Sequence, residues 1–316
     1  MWRYICPANH CRFLNWLNVC VLLASIVYPL SANAIVGGQI DPNTAASPWA
    51  GVGSLSVNGG TYTATAIGSR FILTAAHVVD GASAQNVNFN LNAGGDLSQS
   101  IKASAIHVYP DYHGFTSASP DHLVHNDLAV IELSSDLPAG VPIYSLLTGI
   151  PEKSPTITMV GYGMGGDGVN GATISGSASV KRVGENKVDG FFNGANGNAD
   201  MYMFDFDGST SATNVMGTGA LANEAQFGIG DSGSPAFVQT NGVWQILGVN
   251  TFVATTVAGA DYYKFGALGG GTVTSAYAGW IQGIVTAPVP EPASMEMLLS
   301  GGVLLLLVAR RRRDAI

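Results

Sequence analysis

Gly230-Asp231-Ser232-Gly233-Ser234-Pro235 is the stretch on which the reading of this chain turns. Glycines on either side of an acid and a hydroxyl make a tight turn whose backbone amides can face outward. Two motifs precede it. Thr74-Ala75-Ala76-His77 ends an apolar strand, and Asn126-Asp127-Leu128-Ala129-Val130 opens another. The order is His77, Asp127, Ser232, with separations of 50 and 105 residues. Each motif alone has a plain structural reading, as a core histidine, a turn and a loop. Together they hold the residue types that nucleophilic chemistry needs, because a serine hydroxyl is a poor nucleophile until an adjacent base takes its proton.

Around these motifs, short apolar segments recur between turn signals: Trp49–Val57, Tyr62–Ile67, Phe71–Ala76, Leu128–Leu133, Ile157–Val160, Met201–Phe206 and Val243–Val249. That spacing predicts an all-β sandwich or barrel. Ser275–Val285 has Tyr277, Trp280, Ile281 and Ile284 at helical spacing and predicts one terminal helix. The Gly-, Asn-, Ser- and Thr-rich stretch 161–219 predicts long loops around the Met201–Phe206 strand. No charge run or Pro-rich linker divides 35–287, which reads as one domain.

Composition bounds the rest. The 316 residues are 47% hydrophobic and only 11% charged, which excludes charge-driven disorder. The formal charge of −8 argues against a nucleic-acid partner, which calls for a basic face. Between 35 and 290, seven basic residues stand against eighteen acidic ones, so that body carries −11.

In their order and company, the three motifs resemble the chymotrypsin/trypsin-like serine peptidase family. The resemblance covers 35–287 and takes in Ile35-Val36-Gly37-Gly38, Gly161-Tyr162-Gly163 and the helix with Tyr277 and Trp280. It implies two six-stranded antiparallel Greek-key β-barrels with a short C-terminal helix. It also implies an endopeptidase acting on protein or peptide substrates through an acyl-enzyme, with no cofactor. Carried over by motif, Ser232 is the nucleophile, His77 the general base and later acid, and Asp127 the group that orients the imidazole. The Gly230 and Ser232 N–H groups form the oxyanion hole. In that family a new N-terminal amine, here that of Ile35, pairs with the acid before the nucleophile, here Asp231.

The ends read differently from the body. Residues 1–34 form a secretory leader, with Arg3 and Arg12, an apolar run from Val19 to Leu30, and Ala32-Asn33-Ala34 as the cleavage signal. Cys6, Cys11 and Cys20, the chain's three cysteines, all lie within it. The expected cut by signal peptidase, Ala34/Ile35, is also the bond that would free the activating amine. At the other end, Val289-Pro290-Glu291-Pro292, an apolar run from Met297 to Ala309 and Arg310–Arg313 resemble the PEP-CTERM sorting signal of Gram-negative bacteria. That resemblance implies an exosortase-type partner, export to the cell surface and transient anchoring by the tail (288–316). The 13-residue run spans roughly 20 Å as a helix, short of the ~30 Å hydrocarbon core.

Specificity is read from the resemblance by position. Gln226, six before Ser232, replaces the carboxylate that would attract a basic side chain, and Glu224 stands two residues earlier as a possible substitute. Thr251, Phe252 and Val253 form the expected pocket wall, with Thr251 in a position to hydrogen-bond Asp127. Tyr62 and Val78 occupy positions that often carry a cysteine pair. His107, His113, His122 and His125, near Asp111 and Asp121, lack tight metal-ligand spacing. Asp205-Phe206-Asp207-Gly208 reads as a strand end rather than a calcium loop. No metal is expected. A catalytically idle binding or matrix protein on the same scaffold is the competing reading.

Overall fold

A computed structural model describes residues 35–115, 123–151, 153–217 and 219–287. The expected leader with its cysteines, the sorting tail, Asp121 and His122 lie outside the described residues.

The first half is a closed barrel of β1 (Val52–Val57), β2 (Gly60–Ala66), β3 (Phe71–Thr74), β4 (Val87–Leu91), β5 (Gln99–Val108) and β6 (Ala129–Leu133), in the order β1-β2-β3-β6-β5-β4. Asn58-Gly59 joins β1 to β2 with both residues at positive φ, as a two-residue hairpin turn demands. Leu55, Ile72, Phe89, Leu91 and Ile131 share the inward face and fill its interior, while Val52, Leu73 and Val130 are buried on the opposite face. After β3 the chain makes a single helical turn, α1 (Ala76–Val79).

The second half repeats the pairing. Its strands are β7 (Thr156–Gly161), β8 (Arg182–Lys187), β9 (Ala199–Asp205), β10 (Pro235–Thr240), β11 (Val243–Ala254) and β12 (Leu268–Val273). They run β8-β7-β10-β11-β12-β9, the order of the first barrel with the ladder between its second and third members left open. Asn186 of β8 crosses that seam, its Nδ2 donating to the Asp205 carbonyl at 2.9 Å and the Ala225 carbonyl at 2.9 Å. The family resemblance implies six strands here, and the sheet has nine. The additions are Gln39–Ile40 against β8, Gly190–Asn193 against β9, and Ser145–Leu146 parallel to β11.

The all-β, chymotrypsin-like class and the short C-terminal helix are what the structure shows. The helix opens as a 3-10 turn, Thr274–Tyr277, and continues as α2 (Ala278–Val285). The stretch 161–219 keeps long loops around the expected strand, here β9, but carries more strand than its composition implies. It holds β8, β9, Gly190–Asn193 and a separate hairpin of Gly165–Asp167 with Gly171–Ile174. Outside β9, backbone pairing in these strands is carried mostly by residues too polar or too small to show an apolar period.

Candidate active site

Register in the first barrel brings His77 and Asp127 together. Thr74, the last residue of β3, faces Ala129, the first of β6, in an antiparallel ladder. Running three residues past Thr74 and two back from Ala129 therefore reaches neighbouring positions. The His77 Nδ1 and Asp127 Oδ2 lie 2.7 Å apart, and the His77 N–H donates to Asp127 Oδ1 at 2.8 Å. The Asp127 carboxylate is fully buried, and His77 alone meets both its oxygens. That double hold sets which imidazole nitrogen faces the acid and turns Nε2 the other way.

Asn126, just before, sits at φ +63° and is pinned from the C-terminal segment. Its N–H donates to the Tyr277 hydroxyl at 3.2 Å, and that hydroxyl donates back to Asn126 Oδ1 at 3.0 Å. The expected bond from Thr251 to Asp127 does not form. A β-bulge between Asn250 and Phe252 re-aims Thr251, whose Oγ1 is buried without a partner. Thr272 of β12 takes over part of the role, donating to the Asp127 backbone carbonyl at 3.2 Å.

Residues 228–235 arrive from the second half and lie on the turn that carries His77. A β-carbon at Gly233, where φ is +84°, would collide with Thr74 Oγ1 and the Thr63 carbonyl and come within 3.1 Å of the Ala75 amide. Only glycine allows that approach. The Asp231, Gly233 and Ser234 N–H groups are taken by the carbonyls of Gly228, Asn250 and Asp231. Among the described residues, the Gly230 and Ser232 N–H groups donate to nothing. Ser232 is half-buried, and no hydrogen bond joins its Oγ to His77. Such contacts are commonly loose before substrate binds.

Asp231 points the other way, into the second half. Its Oδ1 accepts from Gly163 N–H at 2.7 Å and its Oδ2 from Gly228 N–H at 2.8 Å, and the nearby Ile35 backbone N–H also favours its charged form. Burial pushes the carboxyl up to about 7 in spite of these donors and of Arg182 nearby. Ile35 is fully buried and stands at φ +49°. For a β-branched residue this is a strained conformation, costing about 1–2 kcal/mol.

The expected pocket residues are distributed unevenly. Gln226 is buried beside Gly269, with its N–H on the Val36 carbonyl at 2.9 Å, its Oε1 accepting from Phe227 N–H at 3.1 Å, and its Nε2 without a partner. Phe252 and Val253 are half-buried opposite Gly270 and Gly269 of β12. Glu224 does not substitute for Gln226. Its carboxylate accepts from Asp207 N–H at 2.7 Å and Leu221 N–H at 2.9 Å, and burial pushes it up to about 7. Asp205 ends β9 and accepts from the amides of Val215 and Met216. Of the histidines, His125 joins Asp200 at 2.8 Å, and among the described residues no three acids, histidines or cysteines converge on a metal position.

A family profile for trypsin matches residues 35–281. The chain belongs to the trypsin family. A second profile, the PEP-CTERM protein-sorting motif, matches residues 288–313. No curated protein matches the chain. Family membership makes this chain a serine peptidase by class, with peptides as substrates, and its tail carries a protein-sorting motif.

Two buried cations of this trypsin-family fold have no motif in the sequence to mark them. Lys181 and Arg182, adjacent cations in a body with only seven, are both buried. The cue was visible, since adjacent cations are rare here, but burial of both was not.

Proposed function

We propose that this chain is an exported serine endopeptidase that cleaves peptide bonds through an acyl-enzyme on Ser232. His77 acts as general base and then acid, and Asp127 holds the imidazole. The observation that carries the reading is the pair of amides at Gly230 and Ser232. They stay unengaged while neighbouring amides in the loop are bonded, as preorganised donors for an oxyanion require. On attack, the Ser232 proton passes to His77 Nε2, the carbonyl oxygen moves between the two amides, and the proton then goes to the leaving amine.

The experiment is labelling with a fluorophosphonate, which reacts only with an activated serine. We expect labelling of the exported protein that is lost in Ser232→Ala and His77→Ala. An unlabelled exported protein would favour the idle scaffold reading instead. Gln226 offers an amide where a carboxylate would draw lysine or arginine, so substrates with uncharged side chains at the cleaved residue are expected in a peptide-library profile.

Export is read from the ends. Signal peptidase cuts before Ile35, and the φ strain at that residue supports this site, because a terminal residue has no preceding carbonyl to clash with. The freed ammonium takes the place of the amide on Asp231. The tail anchors the protein transiently until an exosortase-type enzyme acts on it at the cell surface. N-terminal sequencing of the exported protein checks the first cut, and a start at any residue other than Ile35 rules it out.

A further inference from the structure

Asp231 faces a cation on β8 as well as the Ile35 backbone. β7 and β8 pair antiparallel with Gly161 directly opposite Arg182. Directly opposed residues put their side chains on the same face, about 4.5–5.5 Å apart at the β-carbon. That face is the Asp231 face, because a β-carbon on Gly161 would run into Asp231 Oδ1. Arg182 is 4% exposed, and its strand carries the N-terminal strap, with Ile40 opposite Arg182 and Gln39 opposite Val183. Two residues along, on the same face, a β-carbon at Gly184 would come within 2.8 Å of Ile35 Cγ2. Ile35, Arg182 and Asp231 thus share one buried chamber, in which Ile35 contributes a neutral amide and Arg182 a charge that stays on at every working pH.

We infer that Arg182 is a positioning residue for Asp231, holding the loop with Gly230 and Ser232 in its working form before the chain is cut at Ile35, so that the unprocessed protein is already competent. The inference rests on the proposed roles of Ser232 and the two amides. A buried carboxylate without a compensating cation is costly. In the uncut chain only Arg182 among the three chamber residues supplies that charge, and after the cut the Ile35 ammonium shares the task. The electrostatics agree, since each of Arg182 and Asp231 favours the charged form of the other. Leader removal then works as an export step rather than a switch.

The test uses the full chain kept uncut by Ala32→Leu with Ala34→Leu, beside the processed protein, each with arginine, glutamine or lysine at 182. Fluorophosphonate labelling of Ser232 and thermal melting are measured on all six. We expect the uncut chain with Arg182 to label. Arg182→Gln should slow that labelling about 10²-fold, the loss of an oxyanion-hole donor, while costing the processed form much less. Arg182→Lys, which keeps the charge, should restore the uncut form. A processed chain that labels beside an inert uncut chain overturns the inference. So does an Arg182→Gln loss equal in both forms and matched by equal falls in melting temperature, or a lysine that restores nothing. Failure of both forms to label with Arg182 in place sinks the peptidase reading itself, and this inference with it.

Discussion

Asp231 has no exposed surface and accepts two backbone N–H groups, yet burial still pushes its carboxyl up to about 7. An unfolded aspartate titrates near 3.9. Between those values the unfolded chain has released a proton that the folded chain keeps, so stability contributed by this group is full below about 3.9 and lost as pH rises to about 7. We expect the urea midpoint of the uncut chain to fall over that window relative to Asp231→Asn, and to run parallel above it. Parallel curves throughout would mean that the carboxyl titrates normally. The same variant should slow Ser232 labelling by about 10²-fold or more, since the loop loses the acceptor that orients its amides. At Gln226 the expectation runs the other way. Gln226→Asp should introduce cleavage after lysine and arginine and lower the melting temperature, because a carboxylate there is buried when no substrate fills the site. A variant that still prefers uncharged residues in a peptide-library profile would place the specificity pocket elsewhere.

Among elements, legibility tracks how each strand meets its neighbours. Phe71–Thr74 and Ile157–Val160 show in the sequence because every side chain in them is buried and only Thr74 and Thr158 interrupt the apolar run. β12 reads Leu-Gly-Gly-Gly-Thr-Val, with no apolar period at all. Its glycines are there because rings close over them. β-carbons at Gly269 and Gly270 would meet the Phe204 and Phe252 rings at 2.5 Å. β5 and β8 alternate with polar or charged residues and give only a weak signal. The site was more legible than the fold, since the three motifs are short and contiguous. Thr272, Tyr277 as the hold on Asn126, and Arg182 act from strands and turns far away in sequence, and no local pattern ties them to the site. The seam between β8 and β9 is another such feature. Asn186→Ala removes both hydrogen bonds from its Nδ2 and strands two carbonyl acceptors, each costing about 1–3 kcal/mol where buried. We expect a lowered melting temperature and faster amide exchange in Arg182–Lys187 and Ala199–Asp205, with exchange in the first barrel unchanged. Uniformly faster exchange would show that the two halves unfold as one.

Across the whole molecule, the parts of the site come from different halves: His77 and Asp127 from the first barrel, Ser232 and its loop from the second. Residues 35–287 contain no cysteine, so nothing covalent fixes that alignment. Lys181 supplies a polar bolt. Its Nζ is fully buried, donates to the Trp49 carbonyl at 2.7 Å and Asn92 Oδ1 at 2.8 Å, and lies 3.8 Å from Asp41 Oδ1. One side chain therefore ties the approach to β8 to the first barrel and to the N-terminal strap. Burial lowers its pKa from 10.5 to about 8, Asp41 opposing the shift. From about 8 to 10.5 the unfolded chain holds a proton that the folded one has given up, so this group makes the protein more stable as pH rises through that window. Lys181→Met keeps the length of the chain but strands two acceptors, at about 1–3 kcal/mol each. We expect a lower melting temperature at pH 7, a reduced kcat with KM nearly unchanged because the halves lose alignment rather than the pocket, and no alkaline gain. If Lys181→Met and the wild type gain equally between pH 8 and 10.5, the gain belongs to other groups and Lys181 is not the bolt between the halves.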